Sequence, residues 1–270
     1  MSISYLFQYI RYFFRSKHRK GFGIHSPFVF KLVTDVIEEQ TPYYKYSLIE
    51  KVRQLLLKTN KEVYVENFGT GKSGRQKILT IVKRSSKSKA YAQILFRLVN
   101  YYKAQNILEL GTSFGLTTMY LAAPDTKAKV VTIEGCKEIA EYAKLSFKRA
   151  GFENIHVEIG NIDTCLPKVL SGFEKLDFVF FDANHRREAT LNYFDQCLPK
   201  SHAKSVFIID DIYWSKEMSQ TWEEIKKRPE VRVTIDLFFY GIVLFDSDLQ
   251  KEDYTLFFLP GIKLNYFSFN

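Results

Sequence analysis

From residue 106 onward the apolar positions gather into short, mainly apolar runs at 106–110, 129–133, 155–159, 176–181 and 205–209, each followed by a helical segment. A run with apolar residues on both of its faces is buried on both. Such runs alternating with helical segments predict a parallel sheet covered by helices on both sides. Two further runs, 231–239 and 241–245, stand too close together for a parallel crossover. They predict an antiparallel hairpin with Tyr240-Gly241 at its turn. The aromatic stretch 254–269 is expected to add a strand or to pack across the sheet edge.

The N-terminal third has a helical rhythm instead. Leu6, Tyr9, Ile10 and Phe13 recur at helical spacing, with Arg11 and Arg15 off that stripe. After the break at Lys20-Gly21-Phe22-Gly23, Ser26-Pro27 offers a cap and a first-turn proline for a helix reaching about Glu39. Another helix is predicted over 46–58, a strand over 62–65, and helices near 75–84 and 88–102. The chain thus divides into a helical region, 1–87, and an α/β domain, 88–270, whose doubly wound, mostly parallel seven-strand sheet ends in the antiparallel hairpin.

Composition narrows the setting. A chain of 270 residues, 46% apolar and 26% charged, can bury a full globular core. Its net charge of +9 is uneven: residues 1–108 hold 20 Lys/Arg against 6 Asp/Glu, and no acid lies between Glu66 and Glu109. That asymmetry implies an anionic partner, either a membrane surface, a nucleic acid or an acidic substrate, or else a well-solvated face. Residues 1–31, aromatic and free of acids, suit an interfacial helix at a membrane or a lid over an active site. Cys136, Cys165 and Cys197 are odd in number and far apart, forming neither a disulfide framework nor a metal pair. The expected location is therefore cytoplasmic, with peripheral contact at the inner face of the membrane left open. No apolar run approaches bilayer length, and the opening stretch, interrupted by Gln8 and Arg11, lacks a signal-peptide cleavage pattern.

The chemistry concentrates at the ends of the strands. The first ends in Glu109-Leu110-Gly111-Thr112-Ser113-Phe114-Gly115, an acid followed by a glycine turn into a helix. Gly111 and Gly115 allow the backbone to approach a ligand that a Cβ would push away. The second strand ends in Glu134, placed to accept both hydroxyls of a ribose. The third leads into Gly160-Asn161, the fourth into Asp182-Ala183-Asn184-His185, and the fifth into Asp210-Asp211. In an open α/β sheet these tips share one crevice.

The pattern E-x-G-x-x-x-G resembles motif I of the class I S-adenosylmethionine-dependent methyltransferases, which have a Rossmann-like sheet. Residues 88–246 are similar to small-molecule O-methyltransferases of the catechol and caffeoyl-CoA type, to relatives with an Asp-Gly-x-His tip, and to uncharacterised bacterial methyltransferases. The resemblance implies an S-adenosylmethionine site built from Glu109, Gly111, Thr112, Ser113, Gly115, Glu134, Gly160, Asn161 and Asp182, with Asn161 at the adenine edge. It also implies Mg²⁺ held by Asp182, Asp210 and Asp211, the last standing where the family has Asn. Asp182, His185 and Asp210 are the expected catalytic groups, His185 taking the proton of a small-molecule acceptor. Dull alternatives stay open: His185 as a cap for the helix starting near Arg186, and Asp210-Asp211 as a cap for the helix near Ser215.

Other readings compete. The strand-four tip lacks the prolines of base-amine methyltransferases, which disfavours base methylation but leaves ribose methylation of RNA open. A non-catalytic methyltransferase-like protein docking on a membrane or partner, and a homodimer, are further expectations. Gly69-Thr70-Gly71-Lys72-Ser73 imitates the tail of a P-loop, but Glu66 replaces its first glycine and would repel phosphate.

Overall fold

The computed structural model describes residues 3–18, 21–66 and 73–258, with side chains described from residue 8. The sequence 69–72 within the P-loop-like stretch, the side chain of Leu6 and the tail beyond residue 258 lie outside the described residues. In chain order come α1 (Ile3–Arg15), α2 (Pro27–Leu32), α3 (Tyr44–Leu57), β1 (Glu62–Val65), β2 (Gly74–Lys77), α4 (Ile78–Ser85) and α5 (Lys89–Tyr102). The α/β part follows as β3 (Asn106–Leu110), α6 (Leu116–Ala122), β4 (Lys129–Glu134), α7 (Lys137–Arg149), β5 (Ile155–Ile159) and α8 (Ile162–Ser171). Then come β6 (Phe178–Phe181), α9 (Arg187–Cys197), β7 (Val206–Asp210), α10 (Lys216–Lys227), β8 (Val233–Asp236), β9 (Tyr240–Leu244) and β10 (Glu252–Thr255).

The main sheet has the order β10-β8-β9-β7-β6-β3-β4-β5. Strands β5, β4, β3, β6 and β7 run parallel, while β9 is antiparallel to both β7 and β8. Winding reverses between β3 and β6, so the crevice for a ligand opens at their carboxyl ends. Side chains alternate across the sheet as the period of two requires. Ile107, Phe178 and Phe180 join one core with α5, α6, α7 and the N-terminal elements; Leu108, Val179 and Phe181 join the other with α8, α9 and α10.

Several sequence expectations are corrected. The sheet has eight strands rather than seven, because β10 adds to the edge parallel to β8. Residues 74–77 form a strand, not a helix start, since Gly-Arg-Gln-Lys offers no apolar stripe and pairs antiparallel with 62–65. The hairpin turns at Leu237-Phe238-Phe239, where Phe238 has φ 71° and its N–H reaches Asp236 Oδ1. Gly241 belongs to β9, and its missing side chain makes room for the Trp222 ring. On α1 the inward face is Tyr9 and Tyr12, which pack on Phe238, while Ile10 and Phe13 are exposed. No helix among the described residues is long and apolar enough to cross a membrane.

The nine cations between Glu66 and Glu109 do not all face outward. Arg97 is buried and donates to the carbonyls of Val36 and Ile37, the latter at 2.9 Å, closing the π-helical turn after α2. Lys87 is turned inward as well, with its ammonium against Asp182 and Asp210.

Candidate active site

Beneath the glycine turn lies a hydroxyl chain. Thr132 donates to Glu109 Oε2 at 2.7 Å, Thr118 donates to the same oxygen, and Thr112 Oγ1 lies 2.6 Å from Thr132 Oγ1. Glu109 is fully buried, and its Oε1 has no hydrogen-bond partner among the described residues. Glu109, Thr112 and Gly115 therefore support the turn from below and do not line the cavity above it. Gly115 opens α6 at φ 77°, and a Cβ there would strike the Phe147 ring, so this glycine serves helix packing.

Burial pushes the Glu109 carboxyl up to about 8, even though both threonine hydroxyls favour its charged form. Unfolded, such a group releases its proton near 4.5. Between those values the folded chain holds the extra proton, so stability falls as pH rises through that window. A Glu109→Gln variant, neutral throughout, is expected to lose that slope. Melting curves at pH 5 and pH 8, values bracketing most of that window, check it; a parent whose melting point does not fall more than the variant's contradicts it.

Above the turn, a cavity of about 290 Å³ is lined by Gly111, Ser113, Glu134, Asn161, Asp182 and His185, among others. Gly111 has φ 98°, and a Cβ there would stand 2.2 Å from the carbonyl oxygen of Asp182. Glu134 closes β4 with its carboxylate held by two backbone donors, Ser113 N–H at 2.8 Å and Cys136 N–H at 2.9 Å. Burial raises its pKa against the opposing pull of those amides. Gly160 runs at φ 149° beside Cys165, and Asn161 Oδ1 caps α8 by accepting from Asp163 N–H at 3.0 Å.

A second pocket, about 430 Å³, is walled by Tyr9, Tyr91, Trp214, Phe238, Phe239 and Tyr240, with Lys87 and Asp211 at its polar end. Arg84 lines both spaces. Between them sits the charged cluster. Lys87 Nζ lies 3.1 Å from Asp182 Oδ1 and forms an ion pair with Asp210. His185 Nε2 stands 3.8 Å from Asp182 Oδ1 and 3.9 Å from Asp211 Oδ2. A wider groove of about 1000 Å³ between α9 and α10 carries its own paired charges, Arg187 with Glu224 at 2.9 Å, and none of these carboxylates.

Burial pushes Asp210 up to about 7, with repulsion from Asp182 adding to it and Lys87 opposing it. Burial and the neighbouring Asp210 push Asp211 up to about 6. Asp182 is raised by burial against the pull of Lys87. Burial alone would lower the Lys87 ammonium, but the three aspartates outweigh it and hold the lysine charged above its ordinary range.

His185 is no helix cap, because α9 begins after Arg186 and has no side-chain cap. Nor do Asp210 and Asp211 cap α10, which is capped by Ser215 accepting from Met218 N–H at 3.1 Å. Asp182, His185 and Asp210 each bring a ligand atom to within 4.8 Å of the others, which is metal-like spacing. The Mg²⁺ ion implied by the resemblance nevertheless does not fit, since the Lys87 ammonium already bridges two of those carboxylates. The sequence alone did not point to Lys87 or to the aromatic wall. The available signal was a charge imbalance: three acids at two adjacent strand tips need a cation from elsewhere in the chain.

Residues 108–212 match the family model described as a methyltransferase domain. By that match and by its fold, the segment is similar to methyltransferase domains. The O-methyltransferase imqG of Aspergillus flavus is 31% identical over 122 residues, which cover 43% of this chain and 49% of that protein. The catechol O-methyltransferase of Mycobacterium tuberculosis is 28% identical over 131 residues, 48% of this chain and 58% of that protein. The chain spans about half the length of the curated relatives it matches. The solved O-methyltransferase from Bacillus cereus in complex with SAH superposes with a TM-score of 0.57 at 22% identity, covering 80% of this chain and 96% of that one. The O-methyltransferase TomG from Streptomyces achromogenes in complex with SAM gives 0.57 at 18% identity, covering 80% and 95%. The fold shared with these structures thus extends well beyond the matched segment, over 80% of this chain.

Proposed function

We propose that the chain binds S-adenosylmethionine in the cavity above Gly111 and transfers its methyl group to a hydroxyl of a small molecule seated in the aromatic pocket. The observation that carries this reading is the arrangement of two spaces on either side of one charged cluster, with Glu134 lining the far end of the first. Glu134 is held rigidly by two amides, yet each carboxylate oxygen keeps a lone pair for a ribose hydroxyl. The side-chain oxygen of Asn161 is engaged as a cap, so its amide N–H₂ is the group left to meet an adenine edge. Asp182, in the same cavity, offers negative charge to a cationic ligand.

When bound, the cofactor supplies a methyl group already activated on a sulfonium. The protein's tasks are to align the acceptor and to remove its proton. His185 takes that proton at Nε2, and the resulting imidazolium is stabilised by Asp182 and Asp211 on either side. The aromatic wall excludes water and favours a flat or apolar acceptor body. Curated relatives named as O-methyltransferases agree with a hydroxyl as the nucleophile.

Calorimetric titration with S-adenosylmethionine and with S-adenosylhomocysteine is the direct test. Saturable binding of both, with a Kd in the micromolar range of about 1–100 µM, is expected. Absence of heat from either compound at about 1 mM would end this reading.

A further inference from the structure

Lys87 sits in the short connection Ser86-Lys87-Ser88 between α4 and α5. Both flanks of that connection are anchored: Ile81 and Val82 are buried before it, Tyr91 and Ala92 after it. The connection cannot slide without unpacking one helix or the other, so the ammonium is delivered to a fixed point. That point lies against Asp182 at the tip of β6 and Asp210 at the tip of β7, with Asp211 close by. One cation among three largely buried carboxylates is the minimum that such a cluster can hold without severe repulsion.

We infer that Lys87 is the resident cation of the acceptor site, holding a single hydroxyl oxygen of the acceptor so that methyl transfer proceeds without a divalent ion. The identity of the acceptor rests on the methyl-transfer reading above; the position of the cation does not. An ammonium has three N–H donors, and Asp182 and Asp210 account for two of them. The third serves the aromatic pocket, whose lining includes Lys87. Tyr240 adds a second donor there: it is fully buried in the pocket wall, it pairs with Asp210 in the β7–β9 ladder, and its hydroxyl has no hydrogen-bond partner among the described residues.

The difference from a metal site is one of valence. A divalent ion has several open positions and can chelate two neighbouring oxygens, whereas one remaining N–H holds one. The acceptor class that follows carries an isolated hydroxyl on an aromatic or apolar body and needs no vicinal diol. In the transfer, the acceptor oxygen bonds to the methyl carbon as the carbon–sulfur bond breaks. The electron pair stays on sulfur, and the hydroxyl proton goes to His185. No oxidant or metal enters the balance.

Titration with Mn²⁺, followed by calorimetry and by the electron-spin signal of the free ion, tests the inference without any acceptor. The parent protein is expected to show no saturable site up to about 1 mM and to carry no stoichiometric metal when purified without chelator. Lys87→Ala, and the neutral Lys87→Gln, which keeps most of the side-chain length, leave the carboxylates without their cation and are expected to bind Mn²⁺ at least about tenfold more tightly than the parent. Adding Asp182→Asn to Lys87→Ala should return binding to the parent's level. A parent that binds Mn²⁺ saturably and loses it on Asp182→Asn overturns the inference, as do folded lysine variants that bind no better than the parent. The parent measurement decides the matter even if a lysine variant fails to fold. Titration with S-adenosylhomocysteine on the same samples is a separate readout. Failure of that binding counts against the cofactor reading and leaves the Mn²⁺ result standing.

Discussion

A Glu134→Ala variant is expected to bind S-adenosylhomocysteine about 100-fold more weakly than the parent, or worse, on the scale of charge-assisted hydrogen bonds. The carboxylate has two tasks. Its outer lone pairs are offered to the ribose diol, and two bonds of about 1.5–3 kcal/mol each to a charged acceptor would more than account for such a loss. Its inner lone pairs hold the amides of Ser113 and Cys136, which fixes the glycine turn against the start of α7. Ser113 itself sits at φ 48°, a conformation that relies on such an anchor. A Glu134→Gln variant keeps one acceptor oxygen and should fall between parent and alanine variant. Calorimetry on protein with an intact melting transition measures both. Retention of affinity within about threefold by Glu134→Ala would remove the carboxylate from the cofactor site.

The second large effect is expected at Gly111. A methyl group there would meet the Asp182 carbonyl oxygen at 2.2 Å and its carbon at 3.0 Å, on a backbone held at φ 98°. Both neighbours are fixed by the sheet: Gly111 N–H donates to Ile133 and Asp182 N–H donates to Leu110. Relief therefore requires β3 and β6 to part at their tips. Overpacking against backbone, together with a left-handed φ imposed on a non-glycine residue, costs about 3 kcal/mol or more. For a chain of this size that lowers the melting temperature by roughly 6–12 °C. Because Asp182 is displaced along with the strand tip, the cavity and the charged cluster should be disturbed together. A Gly111→Ala variant that melts within about 2 °C of the parent would show that the tips have slack.

Much of the fold was readable because its signals are local. Unbroken apolar runs such as 178–181 can hardly be anything but central parallel strands, and the acids at their ends follow at once. That Gly111, Glu134, Asn161, Asp182 and His185 line one cavity follows for the same reason, since topology gathers the carboxyl ends of parallel strands. What was not legible depends on distance in the chain. Gly241 looked like a turn residue until the Trp222 ring was found packed against it, and no spacing rule links those two positions. Residues 74–77 carry no strand pattern of their own and become one by pairing with 62–65. Lys87 looked like one more surface cation in a basic run, because nothing in its neighbourhood says that the connection dips inward. Glu109 and Thr112 read as ligand contacts from their motif, yet both lie a layer below the cavity.

The inward course of the α4–α5 connection has a consequence for how this molecule could change. The part of the chain before α5 shares its core with the sheet, through Ile49, Ile81 and Val82 on one side and Ile107, Phe178 and Phe180 on the other. The same part carries, just before α5, the lysine whose ammonium lies against Asp182 and Asp210 at the strand tips. Any drift in how the early helices seat themselves would be transmitted to the ammonium before it reached the cofactor turn. Such a layout lets evolution retune the chemistry by altering packing far from it, without touching a single residue of the strand tips.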